Sequence, residues 1–236
     1  VVAVACDGWR QDGRAGASMR LGTTQSFGDE SVGASVQVGD FSDNGVGSGP
    51  PTRTDYPGNT DGNICEPTCI DHLSAKGGGW QDTGTAALNT PLFGGKLRVN
   101  GLFEDTLYYD RETDVGTPAS SNDALRNSSV QVKGEIGVHF TRSHGSKTDL
   151  ERLAIQQGQE DNDRSRFFTF DDEHLVESNR LAESILRATL SHRLQPDLTL
   201  QLAGEGAYNV QHTRTDYASN GTPIPIQAGN IRVDEK

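Results

Sequence analysis

Polar and apolar side chains alternate through residues 181–211, on both sides of Leu194-Gln195-Pro196-Asp197. After that tetrapeptide, Leu198, Leu200, Leu202, Gly204, Gly206, Tyr208 and Val210 share one parity. Thr199, Gln201, Ala203, Glu205, Ala207, Asn209 and Gln211 share the other. A strand turns successive side chains to opposite faces, so this run has one apolar and one polar face. Before the turn, Ala182, Ser184, Leu186, Ala188 and Leu190 oppose Glu183, Arg187, Thr189, Ser191 and Arg193, with Ile185 alone out of place. Proline presets φ and aspartate bonds its own backbone, which makes Pro196-Asp197 turn chemistry. The pattern predicts a hairpin with strands of about 12 residues, against about 5–6 in soluble sheets. Long two-faced strands joined by short turns are what a membrane β-barrel needs.

The same pattern recurs upstream. Val32, Ala34, Val36 and Val38 alternate with small or polar residues, and Ala17–Phe27 can pair with them across Gly28-Asp29-Glu30. Trp80–Asn89 has β character, and Thr90-Pro91-Leu92-Phe93-Gly94-Gly95 is a turn. Leu97, Val99, Gly101, Phe103, Leu107 and Tyr109 then share a face broken only by Asp105. The clearest alternation sets Val130, Val132, Gly134, Ile136, Val138 and Phe140 against Gln131, Lys133, Glu135, His139 and Thr141. Here parity predicts Val132, Ile136, Val138 and Phe140 toward lipid, with Lys133, Glu135 and His139 inward. Residues 1–16 are ill-defined, and Val1–Cys6 reads most simply as a short buried strand.

Between these runs the composition predicts loops. Residues 41–79, 111–127, 158–179 and 212–230 are rich in Gly, Asp, Asn, Ser and Thr, whereas the turns near 90–95, 142–146 and 194–197 are short. Outer-membrane barrels show this asymmetry, with short periplasmic turns and long extracellular loops. In that orientation Trp80, Tyr109 and Tyr208 fall near the outer ends of their strands, as an interfacial aromatic girdle requires. Two segments compete with the strand reading. Leu150, Leu153, Ala154 and Gln157 have helical spacing behind a possible capping box at Thr148–Glu151, and 175–194 is rich in helix formers. Both 147–157 and 175–194 therefore stay open between helix and strand.

The 236 residues carry a net charge of −12, against the basic footprint of a nucleic-acid binder. Only 33% are hydrophobic, little for a soluble core of this size but enough for a sheet with one apolar face. No run of 18 apolar residues is present, which excludes a transmembrane helix and leaves a barrel open. The expected fold is all-β: an antiparallel transmembrane β-barrel meander of long hairpins, here a partial barrel of about eight or nine strands spanning 1–236.

Several stretches are similar to TonB-dependent outer-membrane receptors. Leu92-Phe93-Gly94-Gly95-Lys96-Leu97-Arg98-Val99 resembles an early barrel hairpin of that family, and Arg187–Leu200 (RATLSHRLQPDLTL) resembles another strand–turn–strand. Gly204–Asn209, Asn220–Ile226 and Ile231–Lys236 together are similar to a segment found in one of its branches. The similarity is good over 80–110 and 180–236, modest over 128–157 and poor over 1–79. It implies a barrel of about 22 strands with a lumen plug and uptake of a scarce nutrient, such as an iron chelate (siderophore), a cobalamin or a glycan. Such uptake is driven by the inner-membrane TonB complex acting through the plug. No plug is recognisable in this chain, which reads as an early to middle slice of the barrel in the outer membrane. Its partners are then outer-membrane lipid and a small-molecule ligand. The alternatives are a secreted soluble β-rich binding protein and a stand-alone small barrel.

Few residues suggest chemistry. Cys65 and Cys69, in CEPTC, are candidates for a loop disulfide in an oxidising compartment; a metal site with His72 lacks a fourth ligand. The acidic groups Asp40/Asp43, Glu160/Asp161/Asp163 and Asp171/Asp172/Glu173 lack calcium-loop spacing and read as solvated charge. Ser143-His144-Gly145 is a turn, with no Ser/His/Asp set placed by spacing. No enzyme activity and no cofactor are expected. The acidity of the loops favours cationic or metal-bearing ligands, within a screening length of about 8–10 Å.

Overall fold

The computed structural model describes residues 2–11, 14–44, 52–53, 69–117, 123–168, 171–227 and 229–235. Among these residues there are twelve strands and no helix. They are β1 (Val2–Gln11), β2 (Arg14–Phe27), β3 (Glu30–Asn44), β4 (Thr52–Arg53), β5 (Cys69–Leu92) and β6 (Gly95–Thr117), followed by β7 (Asp123–His144), β8 (Thr148–Phe168), β9 (Asp172–Gln195), β10 (Leu198–Ser219), β11 (Thr222–Ile224) and β12 (Asn230–Glu235). All belong to one antiparallel sheet in the order β1-β2-β3-β5-β6-β7-β8-β9-β10, with β11 and β12 both on β10 and β4 on β5. The sheet is open: β1 and β10 do not meet. The fold is thus the expected all-β meander of long hairpins, consistent with a partial barrel. It has more strands than alternation marked, because β1 and the short β4, β11 and β12 carry little pattern.

The turns follow from residue type. Phe93 and Gly94 have φ of 49° and 71°, and Asn220 and Gly221 have 51° and 75°. Two successive positive φ values give a two-residue turn whose twist matches the strands it joins. The expected turn over 90–95 therefore narrows to Phe93-Gly94. The ambiguous segments 147–157 and 175–194 are strand, within β8 and β9. Thr148 does not cap a helix; its hydroxyl bonds His192 Nδ1 at 2.8 Å across the β8–β9 pair.

The largest departure concerns the segments expected as loops. β3 continues to Asn44 and β5 begins at Cys69, inside 41–79. β6 and β7 fill most of 111–127, and β8 and β9 fill most of 158–179. β10 runs to Ser219, inside 212–230. The polar composition there reflects strands wet on both faces, where no alternation is needed. The strands consequently run 21–24 residues from β5 to β10. β1 is also not buried: Val2 and Val4 are 70% and 65% exposed on an edge strand.

Register supplies the tilt. Ser31, Asn89, Arg98, His139, Leu153, Arg187 and Glu205 form one row across the sheet. Along that row Ser31, Arg98, Leu153 and Glu205 stand two, four, six and eight residues beyond the turn residues Asp29, Gly94, Lys147 and Asp197. Each hairpin is therefore displaced by two residues from the last. With about 3.3 Å per residue and about 4.8 Å between strands, that stagger is a tilt near 35°. Closing a sheet into a barrel needs a stagger of this kind.

Candidate functional site

A single sheet has two faces and no second layer. Among the described residues only Gly77, Gly78, Gly79 and Thr189 are buried, so any function must lie on a face or at an end. Directly opposed residues share a face, which lets the pairing assign both.

One face is apolar from the turns upward. The row Val4, Leu21, Val36, Gly84, Phe103, Gly134, Gly158, Ala182 and Val210 crosses nine strands without a polar side chain. Four residues nearer the turns, Val32, Leu88, Val99, Val138, Ala154, Leu186 and Gly206 repeat this, with Gln25 on β2 the exception; the row between them on this face carries Ala34, Ala86, Gly101 and Ile136, with Thr23, Gln156 and Ser184 as its polar members. Val36, Phe103, Ile136, Leu186 and Leu202 are each more than half exposed on this face. Asp82 and Asp105, opposed to one another, interrupt it, as do Arg152 and the opposed pair Gln156 and Ser184. Trp80, Tyr109 and Tyr208 lie on the same face and are 44%, 48% and 39% exposed. They stand thirteen, fifteen and eleven residues from Phe93, Gly94 and Asp197.

The other face is polar. The row one residue nearer the turns than the first apolar one reads Ser35, Thr85, Leu102, Glu135, Gln157, Glu183, Asn209 and Glu235. From Leu102 to Glu235 this row lines a hollow of about 480 Å3 together with Lys133, Gln159, Leu181 and Gln211. Hydrogen bonds across and along the strands satisfy polar groups here: Lys133 approaches Glu104 at 3.5 Å, Gln131 on β7 and Gln159 on β8 itself both donate to Asp161 at 2.8 Å, and Gln157 donates to Glu183. His139 meets Glu151 at 2.6 Å. Lys133, Glu135 and His139 thus share the polar face, and Val132, Ile136, Val138 and Phe140 share the opposite one, as parity required.

Beyond the aromatic level the two faces differ in charge sign. On the polar face this region of β5 to β10 holds Asp110, Glu112, Asp161, Asp163, Glu173 and Glu177, with no Lys or Arg among the described residues of those strands. The opposite face holds Lys76, Arg111, Arg126, Arg164, Arg166, Arg180 and Arg214. Its carboxylates Asp172, Glu160 and Asp216 are each paired with one of those arginines. This segregation is absent from the composition and arises only when strand parity sorts the residues. It also divides the sequence-level acidic groups: Glu160 lies on one face, Asp161 and Asp163 on the other. Ser143 donates to Asp149 at 2.6 Å, and no histidine joins that pair among the described residues.

The far hairpin tips dock on each other. The Asn220 N–H donates to the Asp172 carbonyl at 2.8 Å, and the Asp172 N–H donates to Asn220 Oδ1 at 3.0 Å. Arg166 grips Asp172 through Nε and Nη2 at 2.8 and 2.6 Å, which holds that carboxyl below the ordinary aspartate value. At the same tip, a hydrogen bond to Glu173 raises the Tyr217 phenol above its ordinary value. The disulfide candidates Cys65 and Cys69, and His72 beside them, fall outside the residues whose side chains are described. Cys6 is free and exposed, opposite Met19. Neither the protein-family models nor the curated proteins compared with this chain contain a match.

Proposed function

We propose that this chain forms part of the wall of an outer-membrane barrel of the TonB-dependent receptor type, serving uptake of a scarce nutrient. The observation that carries the reading is the apolar face, bounded by turns at one level and by Trp80, Tyr109 and Tyr208 at another. At about 3.3 Å per residue and a tilt near 35°, eleven to fifteen residues rise roughly 30–40 Å. A hydrocarbon layer of about 30 Å with the turns projecting beneath it needs that height. The two-residue stagger, the wet opposite face and the similarity of residues 92–99 and 187–200 to that family support the same assignment.

In this reading the polar face lines a lumen and its far acidic half is the first surface a ligand meets. Six carboxylates on β6, β8 and β9, with no cation on this face of β5 to β10 among the described residues, favour a ligand that is cationic or carries a metal, since attraction survives only within a screening length of about 8–10 Å. The uptake step would require the TonB complex, acting through a plug that this chain does not itself resemble.

Fractionation and surface proteolysis of intact cells test the proposal. The chain should be recovered with outer membranes, with cuts confined to the ends near 117–123, 168–172 and 219–222. Recovery in the soluble or secreted fraction would refute it. Cuts at Gly94 and Pro196 with the far ends spared would invert the orientation and remove the ligand argument.

A further inference from the structure

We propose that the outer face carries a docking stripe for the phosphate headgroups of lipids with net negative charge, built from Lys76, Arg111, Arg126 and Arg164; this rests on the membrane reading above. Lys76, Arg111, Arg126, Arg166 and His174 stand directly opposite one another in a single row across β5 to β9. Like charges placed opposite on neighbouring strands repel and destabilise the pair. The protein carries 33 acidic and only 21 basic residues, so a row of cations is the least expected cluster it could hold.

Internal neutralisation accounts for part of the row only. Arg166 is bound by Asp172, and Asp172 also meets His174 at 3.2 Å. Arg126 and Arg166 lie over the Phe168 ring, 5.5 and 4.3 Å from its centroid, an attraction that orients a guanidinium and leaves its charge in place. Among the described residues no carboxylate pairs with Lys76, Arg111, Arg126 or Arg164. Arg164 lies one outer-face position nearer the turns than Arg166, opposite Ser128 and Val176.

Height selects the occupant. Lys76 and Arg111 stand seventeen residues from Phe93 and Gly94, and Arg126 and Arg166 nineteen from Gly145 and Lys147. With the same rise and tilt, the row lies roughly 45–50 Å above the turns. A bilayer with its headgroups is about 40–45 Å thick, so the cations sit at headgroup level, just above Trp80 and Tyr109 on the same face. Four strand spacings make the row about 19 Å wide, the breadth of one or two headgroups. Fixed arginines offer phosphate a bidentate partner, and an anionic headgroup there would relieve the repulsion within the row.

Trp80 reports on this surface. The protein has two tryptophans, so a Trp9→Phe chain in vesicles leaves Trp80 as the probe. Brominated phosphatidylcholine and brominated phosphatidylglycerol are then compared at equal mole fraction in a phosphatidylcholine host. The expected result is quenching by both, with a preference for the anionic lipid. That preference should fall roughly fivefold for each cation removed among Lys76→Gln, Arg111→Gln and Arg126→Gln, and on the unsubstituted row it should fall as salt is raised. Equal quenching by the two lipids at low salt would overturn the stripe and leave the membrane face standing. Quenching by neither would overturn both. Loss of the preference to excess inorganic phosphate at constant ionic strength would reassign the stripe to a free anion and overturn the lipid proposal.

Discussion

Strands β5 to β10 each contain two regions under different rules. The half nearer the turns alternates over most of its length, mainly apolar on one face and mainly polar on the other, with Asp82, Asp105, Arg152 and Gln156 as exceptions on the apolar side. The half farther away is polar on both faces, yet the ladder continues without interruption to Phe168 and Ser219. In the near half a single parity slip would exchange an apolar row for a row of Glu and Gln. In the far half, register is held by specific pairs instead, such as Arg166–Asp172 and Arg180–Glu160. The comparison separates two ways of specifying a strand: by the solvent each face meets, and by its neighbours.

The sharpest way to break that comparison is to place one charge in each half. Ile136 is 51% exposed on the apolar face, nine residues from Gly145. Thr113 lies on the same face of β6, nineteen residues from Gly94. Ile136→Arg should cost about 2–4 kcal/mol in a bilayer if that face meets lipid near midplane. Thr113→Arg should stay within about 0.5 kcal/mol. Urea titration of the chain folded in lipid vesicles measures both, and equal costs would dissolve the distinction between the halves.

The same distinction explains what could be read from the sequence. The near half was legible because one face is apolar: Val130–Phe140 and Leu198–Val210 announce their parity by alternation. The far half was not. Asn162-Asp163-Arg164-Ser165-Arg166 reads as a loop by composition, although it lies within the far third of β8. Its strand character comes from Arg126, Asp172 and the adjoining strands, which lie far along the chain or across the sheet. The charge segregation was hidden for the same reason. A net charge of −12 suggests acidic loops, and only the pairing shows that, among the described residues, the Lys and Arg residues in the far half of β5 to β10 gather on one face while the charged groups on the other are carboxylates alone. The helical spacing of Leu150, Leu153, Ala154 and Gln157 left that segment open between helix and strand, and it is strand because local propensity yields to two flanking strands.

Glycines sharpen the comparison at smaller magnitude. At Gly79, a Cβ would fall against the Leu107 carbonyl and the Phe41 ring, which stacks on Tyr108 with centroids 6.2 Å apart. At Gly84, five residues nearer the turn, a Cβ would meet nothing within 4 Å. Gly79→Ala should therefore destabilise by about 1–3 kcal/mol through overpacking. Gly84→Ala should stabilise by about 0.4–1 kcal/mol, because it reduces the freedom of the unfolded chain. Paired thermal melts of the two variants decide this, and a loss at both positions would mean that the near half is packed as tightly as the far half.

The smallest effect expected concerns acid at the far tips, where specific pairs replace alternation. Hydrogen bonding from Arg166, with His174 contributing less, holds Asp172 below the ordinary aspartate value, which is about 3.9 in an unfolded chain. A carboxylate with a depressed folded pKa stabilises fully above its unfolded value and loses that contribution as pH falls through the folded one. The tip should thus be indifferent to pH at neutrality and loosen below about pH 4. The Asp172 and Asn220 amides report it directly, since each hydrogen-bonds to the other residue. Their protection against hydrogen exchange, corrected for intrinsic rates, should fall with acid, while that of Ile136 on the turn-proximal half of β7 should not. Asp172→Asn should remove the acid step and lower protection at neutral pH. Acid loss that is equal at Ile136 and Asn220 would show the sheet opening as one unit, and would end the claim that the far tips are held by their own pairs.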